Sequence, residues 1–402
     1  MRPDLITIDD VLAAQRRLED IAQRTPVEVS RAVSKFIGLE TVLKCEHLQR
    51  TGSFKIRGAY NRISRLSADE RARGVVCASA GNHAQGVALS ASLLGVASTV
   101  FMPTTAPLPK IEATRSYGAH IELVGATFDD AFEASQKWAA DNDAVFVHPF
   151  DHPDVIAGQG TVGLEILEQV PEAGSVIVPM GGGGLIAGVA AVAKARRPEI
   201  KVIGVEAAGA AAFQASLDAG RPVPLTDVST IADGIAVKAP GELTLAHVAE
   251  HVDEVVTVTD EEIARAVLLL VERAKQVVEP SGAAGLAALL NAKAVCPEPV
   301  VVLLCGGNVD PLLLTRIIQS GLFEEGRYLM LRTRVTDRPG SLAALLTLLA
   351  DAGANILAVE HHRLGTRLGI LEVEVALELE TRGQQHIEEL IALLRAERYP
   401  VA

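Results

Sequence analysis

The chain has 402 residues, 49% of them hydrophobic and 22% charged, with aromatics at 3%. This is the composition of a soluble globular protein of two or three domains whose cores are packed by Ala, Val and Leu. A net charge of -13 argues against nucleic acid and against an anionic membrane surface as partners, so any anion bound here must be met by local donors.

In chain order, Thr7 is a candidate cap for a first amphipathic helix over 7–22, on which Val11, Leu12, Leu18 and Ile21 fall close to helical spacing. The run Thr41 to Cys45 (T-V-L-K-C) predicts a short strand leading into T-G-S-F-K-I-R-G-A-Y at Thr51 to Tyr60. There Ser53 is placed as the N-cap of a helix, and Gly52 allows a tight approach. The chain then alternates: strand 74–78, helix 82–94, strand 97–102, helix 109–116, strand 119–124, helix 127–141 and strand 144–147. After His148-Pro149 come helix 155–169, strand 175–178, a glycine run, helix 185–196 and strand 200–205. Strand 254–258, helices 260–274 and 281–292, and strand 299–304 continue the rhythm. Such alternation predicts parallel sheets with right-handed crossovers, and the number of strands suits two doubly wound domains better than one wide sheet.

After about Gly326 the order becomes β-α-β-β-α: strand 327–337, helix 341–351, strands at 354–364 and 369–379, and helix 384–396. That is a ferredoxin-like α+β module, expected to be antiparallel and separate. Four scattered cysteines, Cys45, Cys77, Cys296 and Cys305, show no C-x-x-C spacing and read as reduced thiols of a cytoplasmic protein. The first residues lack the apolar core of a signal peptide, and no apolar run reaches membrane-span length.

The chemistry sits where apolar strands end and helices begin, because a helix N-terminus offers unpaired amides and the positive end of a dipole. Lys55, one residue after Phe54, is a candidate Schiff-base lysine: its amine is useful at neutral pH only when desolvated or held against a carbonyl. Ser79-Ala80-Gly81-Asn82-His83 is a candidate cradle for a carboxylate or hydroxyl. Gly181-Gly182-Gly183-Gly184-Leu185 reads as a phosphate cup, since four glycines put no Cβ between an oxyanion and the backbone N–H groups. Cys305-Gly306-Gly307-Asn308 forms a third such loop, although each loop alone reads equally well as a tight strand-to-helix turn, and Cys305 alone as a small buried hydrophobe. No G-x-G-x-x-G with an acidic partner and no G-x-x-x-x-G-K-[ST] is present, which disfavours dinucleotide and Walker-type binding. A phosphate cup without nucleotide features, together with an imine lysine, points to pyridoxal 5'-phosphate.

S-F-K-I-R-G-A, S-A-G-N-H-A-Q-G, A-G-Q-G-T, G-G-G-G-L and L-C-G-G-N-V-D stand in the order and spacing of one family. The chain resembles the serine/threonine dehydratases, pyridoxal-phosphate enzymes of fold type II, and among them the threonine dehydratases (threonine ammonia-lyases) with a C-terminal ACT-like domain. The similarity covers essentially all 402 residues. It implies a catalytic region 1–325, with a large subdomain (1–45 and 150–325) and a small one (46–149), followed by an ACT-like regulatory domain 326–402. By the same resemblance Phe54 and Lys55 contact the cofactor, with Lys55 as its imine partner. Asn82 meets the ring hydroxyl, Gly181 to Gly184 with Leu185 hold the phosphate, and Cys305 faces the pyridine nitrogen. Ser79, Ala80, Gly81, Asn82 and His83 take the substrate.

The implied reaction begins when the substrate amine displaces Lys55, whose freed amine takes the Cα proton. The β-hydroxyl then leaves, and the enamine hydrolyses to ammonia and 2-oxobutanoate from L-threonine, or pyruvate from L-serine. Within enzymes the alternatives are a dehydratase of another β-hydroxy amino acid such as hydroxyaspartate, or a serine racemase. Outside enzymes it is an amino-acid-responsive binding protein. Ala80 stands where similar racemases carry a serine base, so racemisation should be poor. Those relatives also have a metal site beginning at the position of Glu206, but Ala208, Ala210, Ala211 and Ala212 follow here without a second acidic ligand, so no divalent metal is expected there, and a monovalent ion on backbone oxygens is left open. Glu279 either lies near the ring or caps the helix that begins near 281. In the C-terminal module Asp337, Pro339 and Gly340, with Asn355 and Ile356, resemble ACT segments that bind a small amino acid at a subunit interface. That effector would be a branched-chain amino acid in isoleucine biosynthesis, within a homodimer or homotetramer. A dimerisation wing without ligand is the other reading, and His361 and His362 are read as structural.

Overall fold

A computed structural model describes residues 3–363 and 368–401. They form two compact units, Met1–Asp310 and Pro311–Ala402. The first unit contains β1 (Val27–Val29), β2 (Thr41–Lys44), β3 (Val75–Ala78), β4 (Ser98–Met102), β5 (His120–Leu123), β6 (Val145–Phe146), β7 (Ser175–Pro179), β8 (Lys201–Ala207), β9 (Glu254–Val258) and β10 (Val300–Leu303). β2, β3, β4, β7 and β10 are buried along their whole length. This explains why they read as continuous apolar runs: parallel strands covered by helices on both faces have no polar side.

Two sheets result. Six strands lie in the order β1-β2-β10-β7-β8-β9 and four in the order β5-β4-β3-β6. All pairs are parallel except β1, which joins β2 antiparallel, so the larger sheet is not wholly parallel as expected. In the smaller sheet the chain steps outward from β3 through β4 to β5, then returns to β6 on the other side of β3. The larger sheet repeats this with β7, β8, β9 and then β10 beside β7. Ligands in such sheets bind beyond the carboxyl ends of strands at these switch points. The loops after β3, β6, β7 and β10 meet that condition.

Several elements differ from the sequence reading. The first helix is Ile8–Arg17 rather than 7–22: Thr7 caps it reciprocally with Asp10, but Leu18 ends it and Asp20 adopts φ 60°. The helix over 260–274 is α-helical only from Asp260 to Leu269, then widens to a π-turn over Leu270–Ala274, ended by Lys275 in the left-handed region. Ser53 is not an N-cap. It bridges to Gly306 in an extended conformation, and the helix Lys55–Ser64 starts from Phe54 with no side-chain cap. Helices Arg31–Ile37, Ala68–Arg73, Phe213–Ala219 and Glu242–His251 and the strand β1 were not anticipated, and the helix opened by the third glycine loop spans Pro311–Glu324. Ser67, followed three residues later by Glu70, does form a capping box, the signal that could have found Ala68–Arg73.

Helix Lys55–Ser64 lies in backbone contact with helix Pro153–Gln169: a Cβ on Gly158 would fall 2.5 Å from the Arg57 carbonyl oxygen. The A-G-Q-G-T motif thereby serves as a packing surface for the lysine-bearing helix. Beneath it, buried Arg57 pairs with Glu46 at 2.8 Å and Glu165 at 2.7 Å, and buried Lys44 reaches Glu165 at 2.6 Å. Two cations and two carboxylates satisfy one another there, tying β2 to both helices.

In the second unit, β11 (Tyr328–Thr336), β12 (Asn355–His362) and β13 (Glu372–Glu380) form an antiparallel sheet in the order β11-β13-β12. Leu331, Val335, Val375, Leu377 and Leu379 meet Leu345, Leu349, Leu390 and Leu394 in one core. Leu345 and Leu349 come from helix Ser341–Asp351, and Leu390 and Leu394 from helix Gln384–Ala396. This is the expected β-α-β-β-α unit.

Candidate active site

The loops after β3, β6, β7 and β10 enclose a cavity of about 800 Å³. Phe54, Lys55, Ser79, Ala80, Gly81, Asn82, His83, Gly181 to Gly184, Leu185 and Cys305 all line it. Residues 55, 82, 184 and 305 are thus brought together although far apart in sequence.

Lys55 opens its helix and donates from Nζ to the Pro149 carbonyl at 3.0 Å, with the Phe54 ring 5.3 Å away. Burial pushes its pKa down to about 8, against the opposing pull of Cys305 and Glu279. A lysine held there has a usable neutral fraction near pH 7, as a nucleophile or base requires.

The loop after β3 is shaped by Ser79, whose Oγ accepts the Gly81 N–H at 3.1 Å. Helix Asn82–Leu93 follows with no side-chain cap, leaving its first amides for an anion. Ala80 offers only a methyl group. The His83 imidazole is committed elsewhere: Nε2 donates to the Val147 carbonyl at 2.9 Å, and burial with the Lys55 charge pushes its pKa down to about 3. His83 can therefore contribute a backbone amide but not an acid.

The Asn82 side chain is held from both ends. Its Nδ2 donates to Glu279 at 2.8 Å, and its Oδ1 accepts from Asn308 Nδ2 at 2.8 Å; Asn308 also donates to the Thr51 carbonyl at 2.7 Å. The amide plane is thus fixed and one Nδ2 proton is left to donate. Glu279 both opens a helix and lines the cavity. Its backbone caps helix Pro280–Leu290, while its buried carboxyl accepts from Ser281 Oγ at 2.7 Å as well as from Asn82. Burial raises its pKa, partly offset by these two donors.

Gly183 adopts φ +88° at the start of helix Gly184–Arg196, again without a side-chain cap. Gly182 has a steric reason for being glycine besides any phosphate: a Cβ there would lie 2.3 Å from the Phe150 ring. Cys305 Sγ lies 3.7 Å from the Ser281 carbonyl, and burial raises its pKa, so the thiol is neutral. An amine, an oriented amide, a neutral thiol and an uncapped glycine cradle on one cavity form a donor set that fits pyridoxal phosphate.

Sequence reasoning missed Pro149 and Phe150 after β6, Ser281, and the orienting role of Asn308. Position directly after a strand at a switch point was the available signal for the first two. It also missed two ion pairs on the cavity wall, Lys110–Asp233 and Lys238–Asp129, which join the two sheets' loops. Outside the cavity, one oxygen of Glu206 accepts the N–H groups of Ala212 at 2.8 Å and Phe213 at 3.0 Å, the other is buried without a partner, and burial raises its pKa to about 7.

The residues expected to bind an effector do not converge within one chain. β11 and β12 both run antiparallel to β13, and Asn355 and Tyr328 both face Glu380. Asn355 and Ile356 therefore lie at the opposite end of the sheet from Asp337, Pro339 and Gly340, on the order of 25 Å away at about 3.3 Å per residue. Asn355 donates to Glu380 at 3.0 Å, Asp337 pairs with Arg363 at 3.3 Å, and Gly340 (φ +90°) opens helix Ser341–Asp351 without a side-chain cap.

Comparison with known proteins agrees with this geometry. Residues 18–306 match the family described as pyridoxal-phosphate dependent enzyme, and residues 329–398 match the ACT domain. L-threonine ammonia-lyase of Thermotoga maritima is 49% identical over 397 residues, 99% of each chain. The processed form of threonine deaminase isoform 2 from Solanum lycopersicum is similar at 39% identity and a TM-score of 0.73, covering 78% of this chain and 94% of that one. Maize serine racemase is similar at 39% identity and a TM-score of 0.74, covering 80% and 100% respectively. With its lysine, glycine cradle and amide on one cavity and both domains matched, the chain belongs to the pyridoxal-phosphate-dependent enzymes and carries a C-terminal ACT domain.

Proposed function

We propose that this protein deaminates L-threonine, and L-serine as a second substrate, releasing 2-oxobutanoate or pyruvate and ammonia. The observation that carries the reading is Lys55: an amine with a lowered pKa, in the same cavity as an uncapped glycine cradle and an uncapped helix start. Similarity to L-threonine ammonia-lyases along nearly the whole chain supports threonine as the substrate. Gly181 to Gly184 and Leu185 would hold the cofactor phosphate, Asn82 the ring hydroxyl and Cys305 the ring nitrogen. When bound, pyridoxal phosphate supplies the electron sink that makes the substrate Cα proton removable.

The protein's own groups do the rest. Amides at the start of helix Asn82–Leu93 orient the substrate carboxylate, and the Lys55 amine takes the Cα proton at Nζ. Glu279 and Asn308 keep the Asn82 amide in one orientation, a preorganised donor rather than a mobile one. Ala80 supplies no second base, so a proton removed by Lys55 is not returned from the opposite side, which favours elimination over racemisation.

The catalytic work is assigned to residues 1–325, with 1–45 and 150–325 as the large and 46–149 as the small subdomain, and regulation to 326–402. Because the two effector segments lie at opposite ends of one sheet, a single amino-acid ligand touching both would need two copies of the chain, which supports a homo-oligomer. Among the described residues no helix is long and apolar enough to cross a membrane, and we place the protein in the cytoplasm. Purified protein supplied with cofactor should be yellow and form keto acid from L-threonine, and Lys55→Ala should lose both properties. A colourless, inactive wild type would refute the lyase reading. Isoleucine or valine should shift the substrate-saturation curve of the full chain, and unchanged curves would leave the ACT domain a role in assembly alone.

A further inference from the structure

The loop after β6 faces the cavity at the switch point of the four-stranded sheet. Its residue His148 has two unequal ring nitrogens. Nδ1 accepts the backbone N–H groups of Phe150 at 3.3 Å and Asp151 at 2.8 Å, so it carries no proton. The one proton of a neutral ring is then on Nε2, for which no partner is present among the described residues. Phe150 packs edge-on against the imidazole, with ring centroids 4.7 Å apart and planes at 87°. The same Phe150 fills the space beside Gly182 and Gly184, and the next residue after His148, Pro149, receives the Lys55 amine. An oriented N–H donor is thus tied on one side to the glycine cradle and on the other to the base. Burial, reinforced by the Lys55 charge and opposed by Asp151, pushes the His148 pKa down to about 4, so the ring is neutral at working pH.

We propose that His148 is a further catalytic residue, whose Nε2–H donates a hydrogen bond to the β-oxygen of the substrate as it departs. The proposal rests on the β-elimination reading above. In that step the Cα–H bond breaks with its proton going to the Lys55 amine, its electron pair forms the Cα=Cβ bond, and the Cβ–O bond breaks with its pair going to oxygen. The oxygen takes up the proton gained by Lys55 and leaves as water. His148 keeps its own proton throughout and stabilises the charge that develops on oxygen, the task of a fixed neutral donor in a dry site. A leaving group that needs no proton and accepts hydrogen bonds poorly has little use for it.

The test compares L-threonine and L-serine with β-chloro-L-alanine, whose chloride departs unaided. His148→Asn keeps a short acceptor for the Phe150 and Asp151 amides but removes the far donor, while His148→Gln restores a donor at longer reach. Both are assayed as full chains loaded with cofactor, with the visible band reporting loading. His148→Asn should lose about 100-fold in kcat/KM on the hydroxy substrates but stay within about threefold of wild type on β-chloro-L-alanine, and His148→Gln should recover part of the loss. Independently, ¹⁵N spectra of imidazole-labelled protein without cofactor should show His148 as the neutral Nε2–H form from pH 6 to 8. Equal losses on all substrates, an unimpaired His148→Asn, or the Nδ1–H form would each overturn the proposal. A wild type that turns over none of the three substrates would instead overturn the β-elimination reading itself, and this proposal with it.

Discussion

Gly182→Ala separates what the glycine cup does for the fold from what it does for a bound phosphate. The added Cβ would sit 2.3–2.4 Å from three atoms of the Phe150 ring, against 3.4 Å or more for an ordinary contact. About 1 Å of movement is needed, and Phe150 has little room to give it, being packed on His148 and against Gly184. Overpacking of this kind costs about 1–3 kcal/mol, roughly a 5- to 140-fold change in the folding equilibrium. The cost should appear without cofactor, in urea unfolding of the apoprotein, as a lower midpoint at unchanged slope. Gly81→Ala is the control: its Cβ meets nothing within 4 Å, so apoprotein stability should hold while substrate KM rises. In a double-mutant cycle Phe150→Ala should relieve the Gly182→Ala penalty. A Gly182→Ala apoprotein as stable as wild type, or a cycle with no coupling, would refute the steric argument and leave phosphate access as the sole reason for glycine there.

Lys55 should acylate in the apoprotein with a rate that titrates near pH 8, and a midpoint near the ordinary value of 10.5 would contradict its desolvation. The stability consequence has a definite sign: between about pH 8 and 10.5 the unfolded chain binds this proton and the folded one does not, so stability relative to Lys55→Met should rise with pH across that window. Arg57→Leu would strand the buried carboxylates of Glu46 and Glu165 and should cost about 3–5 kcal/mol in urea unfolding. A loss below ~1 kcal/mol would show that the network is solvated. Ala80→Ser places a hydroxyl on the cavity wall and should raise D-serine formation from L-serine, read by chiral chromatography; an unchanged ratio of racemisation to elimination would argue against a missing second base.

Much of this protein is legible from local pattern. Helices 341–351 and 384–396 were read to the residue, and the strand-loop-helix junctions at 79–83, 181–185 and 305–308 were marked by glycine and by the change from an apolar run to helical spacing. Such signals lie within a few residues, which is all that backbone propensity and side-chain period require. The errors are local too: Ser53 has the composition of an N-cap, but its backbone is drawn into a bridge with Gly306, a competition that no nearby residue announces.

By itself, then, the sequence determined the alternation of strands and helices, the glycine-bearing loops and Lys55 as the candidate lysine, because periodicity and backbone permissiveness are written in adjacent residues. Tertiary structure decided which groups those residues meet. Strand order brings Pro149 to Lys55 across 94 positions and Glu279 to Asn82 across 197. It turns His148 by one nitrogen toward its own loop, puts Phe150 against the glycine cup, and sets the two candidate effector segments at opposite ends of one sheet. Each of these depends on where sheets reverse direction and how closely their loops pack, and chain neighbours carry no record of that.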